Sequence, residues 1–181
     1  TPKYLKYSFD DSFVKLKVKI KKNFGFPVVI KPINEGSSVN VFICNSSNLI
    51  KKLKKLRTYK EILIEEFIPG REIQAAILGN RKLGAIKYNS KAKTEHIIPV
   101  NLSNKKFNEL MNISLKVHKL LGCKGVTRSD FKYYRNNFYL LETNTQPGMT
   151  KLSLVPEICL YKGINFIKLI ELLLDDASTN K

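Results

Sequence analysis

The sequence predicts an α+β protein of two subdomains that meet near residues 68–71. Apolar, strand-like segments alternate with amphipathic helical segments along the chain. The strands occur mostly as hairpins and seldom as strand–helix–strand units, which favours antiparallel sheets with helices beside them. The pair Pro69-Gly70 interrupts this pattern once, where the chain can pass from one subdomain to the other. No internal repeat is present.

The first subdomain, residues 1–68, opens with a segment of undecided structure. Apolar residues and lysines alternate over residues 12–22, which fits either a strand or the outer face of a helix, so both alternatives stay open. The elements expected after it are strands over 28–32, 39–44 and 61–68 and an amphipathic helix marked by Leu49, Ile50, Leu53 and Leu56.

The second subdomain, residues 69–181, contains two predicted hairpins and two helices. The first hairpin turns at Gly79-Asn80 and the second at residues 135–137. The elements expected are strands over 72–78 and 82–86, a long helix over 107–121 that stops at Gly122, strands over 124–134 and 138–141, and a closing helix over 163–175.

Composition excludes several classes of protein. The chain has 181 residues, of which 43% are hydrophobic, so it can bury a core and is not disordered. No apolar run approaches the roughly 18 residues of a membrane span, so we expect a soluble protein without membrane contact. Three cysteines without a CxxC pair and two histidines argue against a disulfide framework or a zinc site and favour the reducing cytoplasm. The start at Thr1, without Met or signal peptide, predicts a fragment or a processed chain.

The charge is strongly basic and uneven. Lys and Arg number 32 against 15 acidic residues, and residues 1–60 hold 14 of the basic groups and 3 of the acidic ones. Such a surface can attract nucleic acid or phosphorylated ligands, although solvated lysines explain it equally simply. Gly122-Cys-Lys-Gly125 could act as a backbone-clamping GxxG loop, so a basic RNA- or DNA-binding module is one alternative function.

Two sets of residues in the first subdomain suit a nucleotide, although the Walker A and GxGxxG patterns are absent. Lys31 ends an apolar strand, and Gly36-Ser37-Ser38 offers free N–H groups and hydroxyls for phosphate oxygens. Glu65 and Glu66 end another apolar strand, where a carboxylate can accept from an exocyclic amine such as that of adenine. Taken singly, each could be an ordinary strand-end or turn residue.

A third set, in the second subdomain, suits a divalent cation. Asp130 lies in one arm of the 124–141 hairpin, and Glu142 and Asn144 close the other arm on one strand face. Mg²⁺ prefers a few such oxygen ligands together with phosphate oxygens and water. Arg128 shares the face of Asp130 and can stabilise negative charge beside the metal. The apolar residues directly before Glu142 argue against a surface hairpin with scattered polar residues.

Four segments occur in a characteristic order, namely residues 31–38, 64–72, 122–130 and 141–150. The last contains the pattern Glu142-x-Asn144-x-x-Pro147-Gly148-Met149-Thr150. Together these segments resemble the D-alanine–D-alanine ligases, ATP-grasp enzymes of peptidoglycan synthesis. The resemblance implies an ATP-grasp fold, with two subdomains of antiparallel sheets and flanking helices that clamp the nucleotide. It covers the central and C-terminal domains of the family, residues 1–68 and 69–181, and the family's N-terminal D-alanine-binding domain is missing.

The resemblance implies an ADP-forming ligase. ATP phosphorylates the carboxylate of one D-alanine, and the amine of a second attacks the acylphosphate, giving D-alanyl-D-alanine and phosphate. ATP is a co-substrate, two Mg²⁺ or Mn²⁺ ions act per site, no nucleic acid is bound, and the protein is expected to be a cytoplasmic homodimer. A related alternative is a ligase that joins D-alanine to D-serine or D-lactate.

Site residues follow from the resemblance position by position. The ATP-binding residues implied are Lys31, Ser37, Ser38, Glu65, Glu66, Phe67, Ile68, Glu72 and Lys87. The metal ligands implied are Asp130, Glu142 and Asn144. The catalytic residues implied are Ser37, Tyr88, Arg128 and Gly148, and the residues implied for the carboxylate of the second D-alanine are Ser153 and Leu154.

Three departures from the family pattern change what we expect. Between Ile86 and Lys87 about a dozen residues of the closing loop are absent, and we expect that they are omitted from the sequence, because both flanks match. Asn40 stands where the family has Gly, and Asn tolerates positive φ best. The missing domain supplies contacts to the first D-alanine and a phosphate-binding lysine, so we expect the fragment alone to bind nucleotide weakly and to be inactive.

Overall fold

A computed structural model describes residues 1–36, 38–89 and 95–177 of the chain. The chain forms two compact units, Thr1–Ile68 and Pro69–Lys181. Each unit contains an antiparallel sheet with helices packed against it. The predicted α+β class, with two subdomains built on antiparallel sheets, is therefore confirmed.

The first unit has a sheet with the strand order β1-β4-β2-β3, in which all neighbours are antiparallel. Helices α1 and α2 cover one face, where Ile30, Ile62 and Ile64 are fully buried. Side chains of the alternate residues therefore lie on the opposite face, since strand residues alternate between faces. The elements are β1 Tyr4–Ser8, α1 Phe13–Asn23, β2 Val28–Pro32, β3 Phe42–Cys44, α2 Leu49–Lys55 and β4 Glu61–Glu66.

Helix α1 resolves the ambiguity of residues 12–22. The Ser12 side chain caps the helix by accepting from the Lys15 N–H. Leu16 and Ile20, four residues apart, are buried, whereas Val14 is 72% exposed. A strand would have placed all three on one face, so the helical period of 3.6 is the one that buries apolar surface here.

The second unit has a sheet with the strand order β7-β6-β5-β8-β9, again antiparallel throughout. A two-residue turn at Arg135 and Asn136, both with positive φ, joins β8 to β9. The elements are β5 Arg71–Leu78, β6 Arg81–Asn89, β7 Glu95–Ile97, α3 Asn104–Leu120, β8 Val126–Tyr134, β9 Asn137–Asn144, α4 Leu154–Tyr161 and α5 Phe166–Asp176.

Helices cover the two faces of this sheet unequally. Helix α3 packs on one face, where Ile73 and Phe131 are buried. Helices α4 and α5 pack on the other face, over Ala76, Ile86 and Val126. Beyond that apolar half, β5, β8 and β9 carry polar residues on the same face, because alternate strand positions share a face. This polar half contains the candidate site of the second unit.

Some elements differ from the sequence prediction. Strands β1 and β7 and helix α4 were not expected, and β3 begins at Phe42 and not at residue 39. Strand β7 has only three residues, which is too few for a period to be recognised. Helix α4 contains Pro156, which normally signals a break but is tolerated in the first helical turn. None of the described helices is long and apolar enough to cross a membrane.

The buried His118 gives the second unit a dependence on pH. Burial lowers the pKa of His118, an effect opposed by the nearby Asp176 carboxylate and the Cys123 backbone hydrogen bond and reinforced by Lys119. The Nδ1 atom of His118 lies 2.9 Å from the Thr127 hydroxyl. A lowered pKa means that the unfolded chain takes up this proton at a higher pH than the folded chain does.

We therefore predict that the neutral, buried His118 contributes fully to the free energy of unfolding above the ordinary His pKa of 6.5, and that this contribution is lost as the pH falls below that value. The substitution His118→Leu should cost about 1 kcal/mol at neutral pH, through the lost hydrogen bond. It should also flatten the decline in stability toward about pH 5. Urea unfolding of both proteins across this range measures the difference, and an unchanged pH profile in the variant would contradict the prediction.

Candidate functional site

In the first unit, Lys31 and Glu65 form an ion pair on the sheet face opposite the helices. Lys31 of β2 pairs in register with Leu63 of β4, and Glu65 lies two residues further along β4. The Lys31 Nζ and Glu65 Oε2 atoms are 2.7 Å apart, and the two side chains are 23% and 10% exposed. The sequence predicted both residues as separate nucleotide contacts, and the structure brings them together.

The predicted phosphate loop follows β2 and is held by a tyrosine. The Tyr59 hydroxyl donates to Glu35 Oε1 at 3.1 Å, and Asn40 Nδ2 donates to the Tyr59 oxygen at 3.0 Å. Ser38 and Asn40 have φ values of 58° and 57°, so Asn40 takes the backbone conformation that glycine usually supplies. Ser37 lies outside the described residues. Tyr59 therefore fixes both ends of the turn around Ser38.

Strand β4 leads to the predicted adenine contacts. The Glu66 N–H already donates to the Lys3 carbonyl at 2.9 Å, so this donor is engaged within the sheet. Phe67 is half-buried and Ile68 is 5% exposed, and both follow the end of the strand.

In the second unit, the β8–β9 pairing brings the predicted metal ligands together. Asp130 lies opposite Glu142, and Arg128 lies opposite Asn144. A β-bulge separates the Asp130–Glu142 pair from the Phe131–Leu140 pair, so Leu141 has no partner in the register. Because of this extra residue, Glu142 lies on the face of Asp130 and not on the face that packs against α3.

Arg128 binds the carboxylate of Asp130 with two hydrogen bonds. Its Nε donates to Oδ1 at 2.8 Å and its Nη2 donates to Oδ2 at 3.0 Å. Burial raises the pKa of Asp130, and the Glu72 charge adds to this, while Arg128 opposes it by hydrogen bonding and by charge. The net effect is a raised pKa, because burial outweighs the contact with Arg128.

The loop after β9 contains the remaining predicted residues. The Asn144 side-chain oxygen accepts from the Gln146 N–H at 2.9 Å, which leaves this oxygen one further lone pair. A Cβ on Gly148 would lie 3.0 Å from the Ser153 hydroxyl oxygen, so the backbone approaches Ser153 closely. The Ser153 hydroxyl is hydrogen-bonded to the backbone N–H and the hydroxyl of Thr150. Ser153 directly precedes Leu154, the first residue of α4.

Glu72 has a partner that sequence reasoning missed. Lys132 Nζ lies 2.8 Å from Glu72 Oε1 on the neighbouring strand, directly opposite in register. Lys132 follows Asp130 by two residues, so the period of a strand places it on the same face. The two-residue spacing between Asp130 and Lys132 is the signal by which the sequence could have revealed this partner.

Lys87 lies on the other face of the sheet. It pairs in register with Ile73, which is buried on the α3 side of the sheet, whereas Asp130 and Glu142 lie on the other side. The structure therefore does not bring Lys87 to the predicted metal ligands. Strand β6 runs through Ile86 and Lys87, so the alternation of side chains along the strand places Lys87 on the face opposite that of Ile86. Tyr88 pairs in register with Glu72, and its side chain lies outside the described part of the structure.

The donor set in the second unit fits Mg²⁺ or Mn²⁺. It consists of two carboxylates and one amide oxygen, and Mg²⁺ commonly takes one or two carboxylates and completes its octahedron with phosphate oxygens and water. Among the described residues, no group of three or more His, Cys, Asp and Glu side chains could hold a metal by itself.

Two other kinds of site are disfavoured. The Gly125 N–H donates to Asp176 and its carbonyl accepts from Gly79, so the GxxG loop is engaged within the fold. The three cysteines are free thiols, and burial raises the pKa of Cys44 and of Cys159 to about 11. Such thiols are poor nucleophiles at neutral pH.

Comparison with known proteins gives a consistent picture. The sequence model described as D-ala D-ala ligase C-terminus matches residues 4–175. A D-alanine–D-alanine ligase of Pelagibacter ubique is 58% identical over 194 aligned positions, which cover 100% of this chain and 64% of that protein. The chain thus spans less than two thirds of this relative. The alignment is 13 positions longer than the chain (194 against 181), so the relative has residues that this chain lacks.

Two solved structures resemble the whole chain. A crystal structure of D-alanine–D-alanine ligase from Bacillus anthracis has a TM-score of 0.85 at 28% identity, covering 97% of this chain and 61% of that one. The same enzyme complexed with ATP has a TM-score of 0.83 at 27% identity, covering 97% and 58%. The likeness therefore includes both units.

The Lys31–Glu65 pair generates a prediction about stability. Replacing Lys31 by Met leaves a largely buried carboxylate without its partner, so the free energy of unfolding should fall by about 2 kcal/mol, less than for a fully buried pair. The double variant Lys31→Met/Glu65→Leu should recover much of this loss. Urea unfolding measures both effects, with Lys19→Met on the exposed face of α1 as control. If Lys31→Met proved as stable as Lys19→Met, the prediction would be contradicted.

Proposed function

We propose that this chain, which belongs to the D-ala D-ala ligase C-terminus family, provides the nucleotide-binding and catalytic part of an ATP-dependent D-alanine–D-alanine ligase. The family match covers residues 4–175, and the 58% identical relative bears that name. The observation that carries the proposal is the register of β8 and β9, which joins Asp130, Glu142 and Arg128 on one face.

The proposed reaction has two steps. The carboxylate oxygen of one D-alanine attacks the γ-phosphorus of ATP, the bond to the β-phosphate oxygen breaks, and ADP leaves. The amine of a second D-alanine then attacks the acyl carbon, loses a proton, and expels inorganic phosphate. The product is the dipeptide D-alanyl-D-alanine, a precursor for peptidoglycan.

The first unit is proposed to contact the base and the phosphates of ATP. Lys31 would contribute its ammonium to the phosphates, and the backbone and hydroxyls around Ser37 and Ser38 would cover them. Glu65 would accept from the adenine amine, with backbone groups of residues 66–68 at the edge of the ring. The Lys31–Glu65 pair supports this, because it holds both side chains in place before ATP binds.

The second unit is proposed to contact the ribose and the reacting groups. Glu72, paired with Lys132, would accept from the ribose hydroxyls. Asp130, Glu142 and Asn144 would hold Mg²⁺ or Mn²⁺, which when bound neutralises the phosphate charge that builds up during transfer. Arg128 and the Gly148 N–H would stabilise the oxyanion of the tetrahedral intermediate, Arg128 with the guanidinium hydrogens that Asp130 does not use. Tyr88 is proposed to assist Ser37 in the loop over the phosphates.

The beginning of α4 supports an amino-acid substrate. Ser153 precedes this eight-residue helix, whose first N–H groups, from Leu154 onward, have no partner within the helix. A helix N-terminus favours an anion, and a carboxylate is the one charged group on the acceptor D-alanine that must be held without reacting. Ser153 and Leu154 are therefore proposed to bind that carboxylate.

The compartment and assembly are also proposals. Three free thiols and the use of ATP favour the cytoplasm. The homodimer stays a prediction, as does the number of two cations per site. D-serine and D-lactate are the alternative second substrates.

The first test is a substrate panel. The protein expressed from its complete gene should release ADP when supplied with Mg²⁺, ATP and D-alanine, and should form D-alanyl-D-alanine as detected by mass spectrometry. D-serine and D-lactate offered as the second substrate should be used at least about tenfold less efficiently in kcat/KM, the margin we expect for one changed substrate group. ADP release that D-alanine does not stimulate would refute the ligase assignment.

The second test is the substitution Glu142→Gln. It removes one negative ligand of the cation while keeping the shape of the side chain, so turnover should fall by about 100-fold or more. Because the Glu142 side chain is exposed, the melting temperature should stay within the range of the wild type. Glu171→Gln, at an exposed ion pair of α5, is the matched control and should retain activity. Near-normal turnover of Glu142→Gln would refute the metal role.

A further inference from the structure

Gln74 is an unusual residue of the second unit. It lies in β5, is only 7% exposed, and interrupts a run of fully buried apolar neighbours. Its side-chain oxygen Oε1 is buried and has no hydrogen-bond partner among the described residues. A buried acceptor without a partner is costly, and native proteins seldom keep one without a reason.

The register places Gln74 beside the candidate cation site. Gln74 lies opposite Asp130 of β8, and Asp130 lies opposite Glu142 of β9. These residues therefore form one row across three adjacent strands on one sheet face, at the usual spacing of about 4.8 Å per strand. Along β5, Gln74 separates Glu72 from Ala76, which is buried beneath α4 and α5. The amide thus marks the edge of the polar half of the sheet.

The two cationic side chains on the face of Asp130 bond other groups. Arg128 donates both of its described hydrogen bonds to Asp130. Lys132 donates to Glu72 and to the Gly70 carbonyl. Neither of them donates to Gln74 Oε1, so this orphaned acceptor suits a donor that arrives with a ligand. A water bound to a divalent cation is such a donor, because the cation polarises its O–H bonds.

We propose that Gln74 is a further member of the cation site, in which its Oε1 accepts a hydrogen bond from a water bound to the ion held by Asp130 and Glu142. This inference rests on the proposed cation site. It assigns to Gln74 a positioning role: the amide fixes the bound water and thereby the orientation of the ion. It also explains the orphaned acceptor, which is left unpaired until the ion and its water bind.

Binding of Mn²⁺ alone, followed by electron paramagnetic resonance titration of the full chain, tests the proposal. Gln74→Met keeps the volume but removes the acceptor, so the Mn²⁺ dissociation constant should rise about tenfold, as for other groups that bond a metal's own ligands. Gln74→Glu keeps an oxygen acceptor and should restore binding. Asn108→Leu, which likewise replaces an amide by an apolar side chain but on the exposed face of α3, is the control and should bind Mn²⁺ as the wild type does.

Thermal unfolding without metal provides a second readout. Replacing an unsatisfied buried acceptor by an apolar group of similar shape is neutral or stabilising, so the melting temperature of Gln74→Met should be unchanged or higher. A glutamine with only a structural role would give the opposite result, a lower melting temperature with unchanged Mn²⁺ affinity, and would overturn the proposal.

Failure of this inference differs from failure of the proposed function. If Glu142→Gln weakens Mn²⁺ binding but Gln74→Met does not, the cation site stands and the role of Gln74 is refuted. If the wild-type chain binds no Mn²⁺, or if Glu142→Gln binds it equally well, the cation site itself is refuted and the inference falls with it.

Discussion

The extra residue in β9 is the constraint on which the second-unit site depends. From the turn at Arg135 and Asn136 the two strands pair in one register as far as Phe131 and Leu140, and from Asp130 onward the register is shifted by one. If the register near the turn continued, Asp130 would lie opposite Leu141, and Glu142 would lie with Leu140 on the side of α3. The bulge lets one strand contribute apolar residues to the core near the turn and oxygen donors to the opposite face further along.

The balance of charge on this polar half explains how it can attract both a cation and a phosphate. Glu72, Asp130 and Glu142 carry three negative charges, and Arg128 and Lys132 carry two positive ones, so these side chains together are slightly negative. The chain as a whole has a formal charge of +17. A divalent cation at the proposed site would reverse the local sign, and the same surface would then favour an anionic ligand.

Sequence reasoning predicted the features that follow from local patterns. The hairpins, the long helix α3, and the strands that end at Lys31 and Glu65 agree with the structure within a few residues. The period of two correctly put Glu142 and Asn144 on one strand face. Apolar periodicity cannot reveal a β-bulge, so the positions of these residues opposite Asp130 and Arg128 could be found only from the strand pairing in the structure. The Lys31–Glu65 and Glu72–Lys132 pairs lie across strands and were therefore missed. The role of Lys87 in binding ATP stays a prediction, because it came from a resemblance in which further residues precede this lysine, whereas here Lys87 directly follows Ile86 in β6.

The two units hold their polar groups in different ways, and the difference follows from chemistry. Lys31 and Glu65 meet through one described contact, so Lys31 keeps further N–H donors and Glu65 a further oxygen for a ligand while the pair stays in place. Asp130 is held by Arg128 through both oxygens, yet each oxygen keeps a lone pair, so a cation can bind without breaking that contact. Gln74 has no partner to lose. The second unit therefore holds a partly buried carboxylate and an unsatisfied amide. In the proposed site an ion and its water would supply the missing charge and hydrogen-bond donor, which would couple binding of the ion to the stability of this face.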